Sequence, residues 1–145
     1  MNANGDDMGR FAVDVEIANN VDVIEAERGH LDPKKVRRKI IKGVVDSGAA
    51  ALVLPGTLVK ELGLPTKGKK ARVKYADGTR KLREEVGQVE VTLLGRDDVF
   101  SAVVEPKREA ALIGAIVLEA LDLLVDCRKQ RLYPRDPDYV VSEIE

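Results

Sequence analysis

Apolar and polar residues alternate along Phe11, Val13, Val15 and Ile17, with Ala12, Asp14, Glu16 and Ala18 between them. This is the period of a strand with one buried face. Val21, Val23 and Ile24 read as the start of a second strand. The alternation returns at Val89, Val91 and Leu93 around Glu90 and Thr92. A β-rich run over residues 99–104 follows the turn signal Gly95-Arg96-Asp97-Asp98, so the two stretches read as a hairpin. Two segments keep a helical period instead. Residues 57–62 lie between Pro55-Gly56 and Gly63, with Thr57 placed to cap them. Residues 115–121 continue the spacing Ile113, Ile116, Val117, Ala120, Leu121, Leu124. Short strands punctuated by Gly, Asp and Pro, with one or two short helices, predict an all-β, mainly antiparallel domain.

Length and composition narrow the function. A chain of 145 residues encloses a single core. We expect a loose N-terminal segment over residues 1–10, the domain over residues 11–134 and an acidic tail over residues 135–145. With 24 Lys and Arg against 25 Asp and Glu, the net charge of −1 gives no strong field for a polyanion, so nucleic acid and membrane are not expected partners. The basic run Lys34-Lys35-Val36-Arg37-Arg38-Lys39 carries no interleaved aromatic and reads as a solvated edge strand. One cysteine, Cys127, and one histidine, His30, are too few for a disulfide framework or a structural zinc site. No glycine-rich phosphate loop occurs, and neither a metal nor a cofactor is expected. The start of the chain lacks the basic and apolar stretches of a secretion signal. The apolar run over residues 110–118 falls well short of the roughly 20 residues of a membrane span, so a cytoplasmic, reducing setting is the expectation.

Chemistry concentrates in Val44-Val45-Asp46-Ser47-Gly48-Ala49 and the apolar residues that follow. A carboxylate, a hydroxyl and a glycine interrupt two stretches that would otherwise be fully buried. Desolvating an ionised carboxylate is costly, so Asp46 needs partners or a function. On its own the segment also fits a turn in which Asp46 accepts bonds from nearby backbone N–H groups.

The wider frame favours a function. Two apolar residues before Asp-Ser-Gly-Ala resemble the catalytic loop of retroviral-type, retropepsin-like aspartic proteases. Ala111-Leu112-Ile113-Gly114 is similar to the segment that crosses behind that loop. Tyr75-Ala76-Asp77-Gly78-Thr79 places an Asp-Gly hairpin turn where the family has its mobile flap. Residues 123–126 and 130–134 resemble the closing strands of bacterial members. The resemblance implies a retropepsin-like closed barrel and an aspartic endopeptidase in which Asp46 is catalytic. Ser47 then bonds across to a partner loop, Gly48 gives the backbone room, Ala49 lines the cleft and residues 75–79 close over a peptide substrate. Two departures stand out. Ala50 and Ala51 occupy positions where retroviral enzymes carry acidic residues, and Ala115 stands where they carry Arg after the Ile-Gly.

This chemistry needs one ionised carboxylate to take a proton from water and one protonated carboxyl to polarise the scissile carbonyl. Two carboxylates about 3 Å apart hold one proton between them. The chain offers one Asp-Ser-Gly in the right apolar frame. The economical source of the second is Asp46 of an identical chain across a two-fold axis, which makes the partner a second copy of this protein. The alternative is a protease-like dimeric binding or scaffold module without turnover.

Overall fold

The computed structural model describes residues 10–145. In chain order these form β1 (Arg10–Asn19), α1 (Asn20–Glu27), a 3-10 turn (Pro33–Lys35), β2 (Arg38–Asp46), β3 (Leu52–Pro55), α2 (Gly56–Leu62) and β4 (Thr66–Lys74). There follow β5 (Arg80–Leu93), β6 (Arg96–Glu105), β7 (Ala111–Ile113), α3 (Ala115–Ala120), β8 (Leu123–Asp126) and β9 (Arg131–Pro134).

Six strands close on themselves in the order β1-β2-β7-β3-β6-β5, and β5 returns to β1 through Ile17↔Val91 and Ala18↔Glu90. Closure leaves none of the six with a wholly unpaired edge. Most pairings are antiparallel, while β2–β7 and β3–β6 run parallel. β4 lies outside the ring and, among the described residues, pairs only with β5.

The alternation seen in the sequence sorts side chains to the two faces of this wall. Val15, Ile17, Val45, Leu52, Leu54, Val91 and Ile113 point into the barrel and are almost fully buried. Leu58 and Leu62 of α2 and Val117 and Leu118 of α3 pack against the same core. On β5 the inward parity changes from even at Val86 to odd at Val89, because the pairing with β6 shifts register between them. Gln88 sits there at φ 56, the extra residue of a bulge.

Several sequence expectations are corrected. Val21, Val23 and Ile24 belong to α1, not to a strand. Asn19 overrides their β preference by capping the helix, its Oδ1 accepting from Val21 N at 2.9 Å and Asp22 N at 3.2 Å. The same side chain, 1% exposed, donates through Nδ2 to Leu62 O and Gly63 O and so ties α1 to the end of α2. Thr57 does not cap α2. The helix starts one residue earlier at Gly56, Pro55 holds the cap position, and no side chain bonds there. The hairpin turn is Leu94-Gly95, and Arg96, Asp97 and Asp98 already belong to β6.

The basic run is solvated but is not one edge strand. Lys34 and Lys35 sit in the 3-10 turn, while Arg38 and Lys39 open β2, which pairs with β1 there. Arg37 reaches back to Asp22, with Nε 2.8 Å from Oδ2, and that guanidinium holds the Asp22 carboxyl below its ordinary range.

His30 lies in the turn after α1, its Nδ1 3.2 Å from Glu25 Oε2, and Cys127 is exposed after β8. Residues 135–145 form no helix or strand, but Arg96 donates to the Asp136 and Tyr139 carbonyls and Val141 N donates to Asp122 Oδ2. The expected loose segment 1–10 lies outside the described residues except for Arg10, which opens β1. Among the described residues no helix is long and apolar enough to cross a membrane.

Candidate active site

Asp46 is the last residue of β2, where the strand leaves the barrel wall. Its Oδ1 accepts from Gly48 N at 3.0 Å, and its carbonyl accepts from Ala49 N at 3.1 Å. These bonds turn the chain within two residues. Gly48 fits the turn because a Cβ there would lie 3.3 Å from Asp46 Oδ1. The Asp46 side chain keeps 16% of its surface exposed, and its Oδ2 faces Arg10 Nε at 3.2 Å. Ser47 and Gly48 are exposed, and Ala49 is half-buried.

The rest of the loop is held from behind. β7 inserts between β2 and β3, pairing Val45↔Ile113 on one side and Leu52↔Ile113 on the other. Beyond it Gly114 meets the loop so closely that a Cβ would lie 2.3 Å from Ala51 O and 2.8 Å from Ala49 O. The first two residues of α3 donate into the loop, Ala115 N to Ala49 O at 2.7 Å and Ile116 N to Ala50 O at 3.0 Å. The pattern Leu112-Ile113-Gly114 thus supplies a strand residue on each face of the wall and then the single residue type that fits against the loop.

The outer face carries an apolar stripe. Val44, two residues before Asp46 and therefore on its face, pairs with Leu112, Leu112 with Val53, and Val53 with Val103. All four are half-buried, in contrast to Val45, Ile113 and Leu52 behind them. A carboxylate at one end of an aliphatic surface is able to hold an extended apolar chain beside a reactive group. This face is open in the single chain. A hollow of about 470 Å³ lies elsewhere, lined by Gly56, Val59, Leu64, Val86 and Val104, between α2 and the root of the β4–β5 arm.

Residues 75–79 form the tip of that arm. Tyr75 N donates to Thr79 O at 2.8 Å and Gly78 N to Tyr75 O at 2.9 Å, and Gly78 takes φ 89, which favours glycine. Asp77 Oδ1 accepts from both Thr79 Oγ1 and Thr79 N, which holds its carboxyl below the ordinary range. Ala76 is exposed at the turn. Tyr75 anchors the tip to the barrel, its hydroxyl donating to Glu105 Oε2 while Arg83 Nε bridges Tyr75 Oη at 3.1 Å and Glu105 Oε1 at 2.9 Å. The bond to Glu105 pushes the Tyr75 hydroxyl above its ordinary value.

Leu112, Ile113 and Gly114 are thus packed directly against the Asp46 to Ala49 loop, whereas residues 75–79 share no hydrogen bond with that loop among the described residues. Three features had no signal in the sequence: the Arg10–Asp46 pair, the Tyr75–Arg83–Glu105 anchor and the alignment of Val53 and Val103 beside Leu112. Each depends on strand register, which links residues far apart in the chain. Among the described residues no group of three His, Cys, Asp or Glu side chains could hold a metal ion.

Comparison with known proteins agrees with this architecture. Residues 33–120 match the family described as "gag-polyprotein putative aspartyl protease", and the chain belongs to that retroviral-type, retropepsin-like family. Among solved structures it is similar to the EIAV protease complexed with the inhibitor HBY-793, at 16% identity with a TM-score of 0.54, over 77% of this chain and 88% of that one. No curated protein matches the chain. The closed barrel with few short helices is the retropepsin-like fold, and the family is one of aspartic proteases.

Proposed function

We propose that this protein is an aspartic endopeptidase whose active site forms when two copies bring their Asp46 carboxylates together. The observation that carries this reading is the placement of Asp46: partly exposed at the end of β2, on a loop braced by Gly114 and α3, and at one end of the stripe Val44, Leu112, Val53 and Val103. One ionised carboxylate takes a proton from water as the water oxygen bonds to the scissile carbonyl carbon. The other, protonated, donates to the carbonyl oxygen. Return of a proton to the amide nitrogen then lets the C–N bond break.

Ser47, exposed beside Asp46, is available to bond to the partner loop, and Ala49 and the aliphatic stripe line the floor of the cleft. Residues 75–79 close over an extended peptide and exclude water. Ile116 on α3, and Leu124 and Tyr133, which pair in register on the β8–β9 ribbon, are exposed apolar side chains that favour self-association. The exposed, unpaired Cys127 suits a cytoplasmic, reducing setting.

The alternative of a silent binding module is favoured by one observation. In the single chain Asp46 Oδ2 already has a partner, Arg10 Nε at 3.2 Å, without a second copy of the protein. Comparing wild type with Asp46→Asn on a peptide library from acidic to neutral pH decides between them. Asn keeps the shape but cannot share a proton, so cleavage should disappear while the dimer persists. Equal cleavage by both proteins rules out a catalytic Asp46, and cleavage by neither supports the binding module.

A further inference from the structure

The β4–β5 arm is cationic in a chain whose overall charge is close to zero. Residues 66–86, the paired length of the arm, carry eight of the chain's 24 Lys and Arg and three of its 25 Asp and Glu, with Glu84 opposite Lys70, so the arm bears +5 and the remainder of the chain −6. Six of these cations, Lys69, Lys70, Arg72, Lys74, Arg80 and Lys81, are exposed and form no salt bridge among the described residues. Lys74 and Arg80 face each other across the hairpin, and like charges directly opposite destabilise a strand pair. Edge lysines alone would serve to repel other strands. Over residues 80–84 β5 too is bonded only to β4 among the described residues, so Arg80 and Lys81 guard the arm's second edge, and a cationic edge still admits an acidic strand.

β4 is also the one strand of the large sheet that ends it, with its outer backbone edge bonded to no other strand among the described residues. Lys70, Arg72 and Lys74 follow one another along that edge at alternate positions, about 6.6 Å apart on one face. We propose that the free edge of β4 binds an acidic, extended peptide segment, which adds as a strand and places carboxylates against Lys70, Arg72 and Lys74. The inference rests on the protease reading and deepens it, since the acidic segment is then a part of the substrate lying beside the flap, at a distance from the bond that is cut. A single-stranded nucleic acid fits less well. The arm's one aromatic, Tyr75, is half-buried and held by Glu105, so no stacking platform is presented, and an unpaired strand edge matches a peptide backbone.

The test titrates full-length Asp46→Asn protein, which keeps its ligand uncut, with three labelled probes. These are a peptide with Glu at alternate positions, the same peptide with Gln, and a DNA single strand of equal charge. The Glu peptide should bind, the Gln peptide should not, and raising salt to near-molar should abolish binding. Lys70→Glu/Arg72→Glu/Lys74→Glu should weaken binding at least about tenfold, the scale of three partly exposed charge pairs. Lys34→Glu/Lys35→Glu, in the other basic run, should bind as the parent does. Equal binding of the Gln peptide, unchanged binding in the triple variant, or tighter binding of the DNA overturns the proposal. Should the triple variant lose its fold by thermal melting, the salt and Gln comparisons on the unaltered surface still decide. Cleavage of neutral peptides by wild type without Glu-peptide binding removes the acidic site and leaves the protease; binding without cleavage of any peptide does the reverse.

Discussion

Replacing Gly114 by alanine tests how the Asp46 loop is held. The added methyl would sit 2.3 Å from Ala51 O, 2.8 Å from Ala49 O and 2.8 Å from the Ala50 carbonyl carbon. The optimum for a non-bonded carbon pair begins near ~3.5 Å, and all three obstacles are backbone atoms that cannot rotate away. Overpacking costs about 1–3 kcal/mol. Moving the loop aside also breaks the bonds from Ala115 N and Ile116 N, at about 1 kcal/mol each. The total of about 3–5 kcal/mol is a large part of the roughly 5–15 kcal/mol that stabilises an ordinary domain.

In urea, with a slope of about 2 kcal/mol/M, the midpoint should fall by about 2 M. Gly95→Ala is the control. Its Cβ meets nothing within 4 Å, and its φ of 76 adds conformational strain without a clash, so it should cost only about 1–2 kcal/mol. A Gly114→Ala midpoint no lower than that of Gly95→Ala would refute the bracing of the loop by β7 and α3.

Two further perturbations follow from the electrostatics. Arg10→Ala should raise the initial cleavage rate, by no more than about fivefold since a largely exposed pair contributes roughly 0–1 kcal/mol, because Arg10 no longer competes with the partner carboxylate for Asp46; a loss of rate would give Arg10 a supporting role instead. Glu90, half-buried on β5, has its carboxyl pushed up by burial and by Asp97, against the pull of Arg38. A raised folded value means the fold prefers the protonated acid, so its penalty is absent below the ordinary unfolded value of about 4.3 and grows as pH rises through the folded one. Glu90→Gln should therefore match wild type in urea melts near that pH and exceed it at neutral pH, and a less stable variant at neutral pH would contradict the assigned cause.

Local patterns in the sequence disclosed most of the barrel. The alternation in Phe11 to Ile17 and in Val89 to Leu93 reported buried faces correctly, since a period of two survives whichever strands become neighbours. The turns at Asp46 and at Asp77-Gly78 are set by bonds within a few residues and so leave a local signature, whereas Gly114 is set by the distant Ala49–Ala51 loop and is marked in the sequence only by its place after Leu112-Ile113. Val21 to Ile24 misled because the decisive group was the capping Asn19 outside the apolar pattern. The Leu94-Gly95 turn was displaced because Gly95-Arg96-Asp97-Asp98 offers several turn formers, and pairing with β5 chose among them. The Arg10–Asp46 pair and the Tyr75–Glu105 anchor were invisible because each spans 30 or more positions and exists only through strand register. The charge of the β4–β5 arm was concealed by an overall balance near zero.

The central claim is that each active site uses Asp46 from two chains, and subunit mixing measures this most directly. Wild type is exchanged with increasing Asp46→Asn at constant total protein, and peptide cleavage per wild-type chain is followed. If two Asp46 carboxylates are required, that rate falls in proportion to the wild-type fraction and is halved in an equal mixture. A rate per wild-type chain that stays constant across the series would show one Asp46 to be sufficient and would contradict the account.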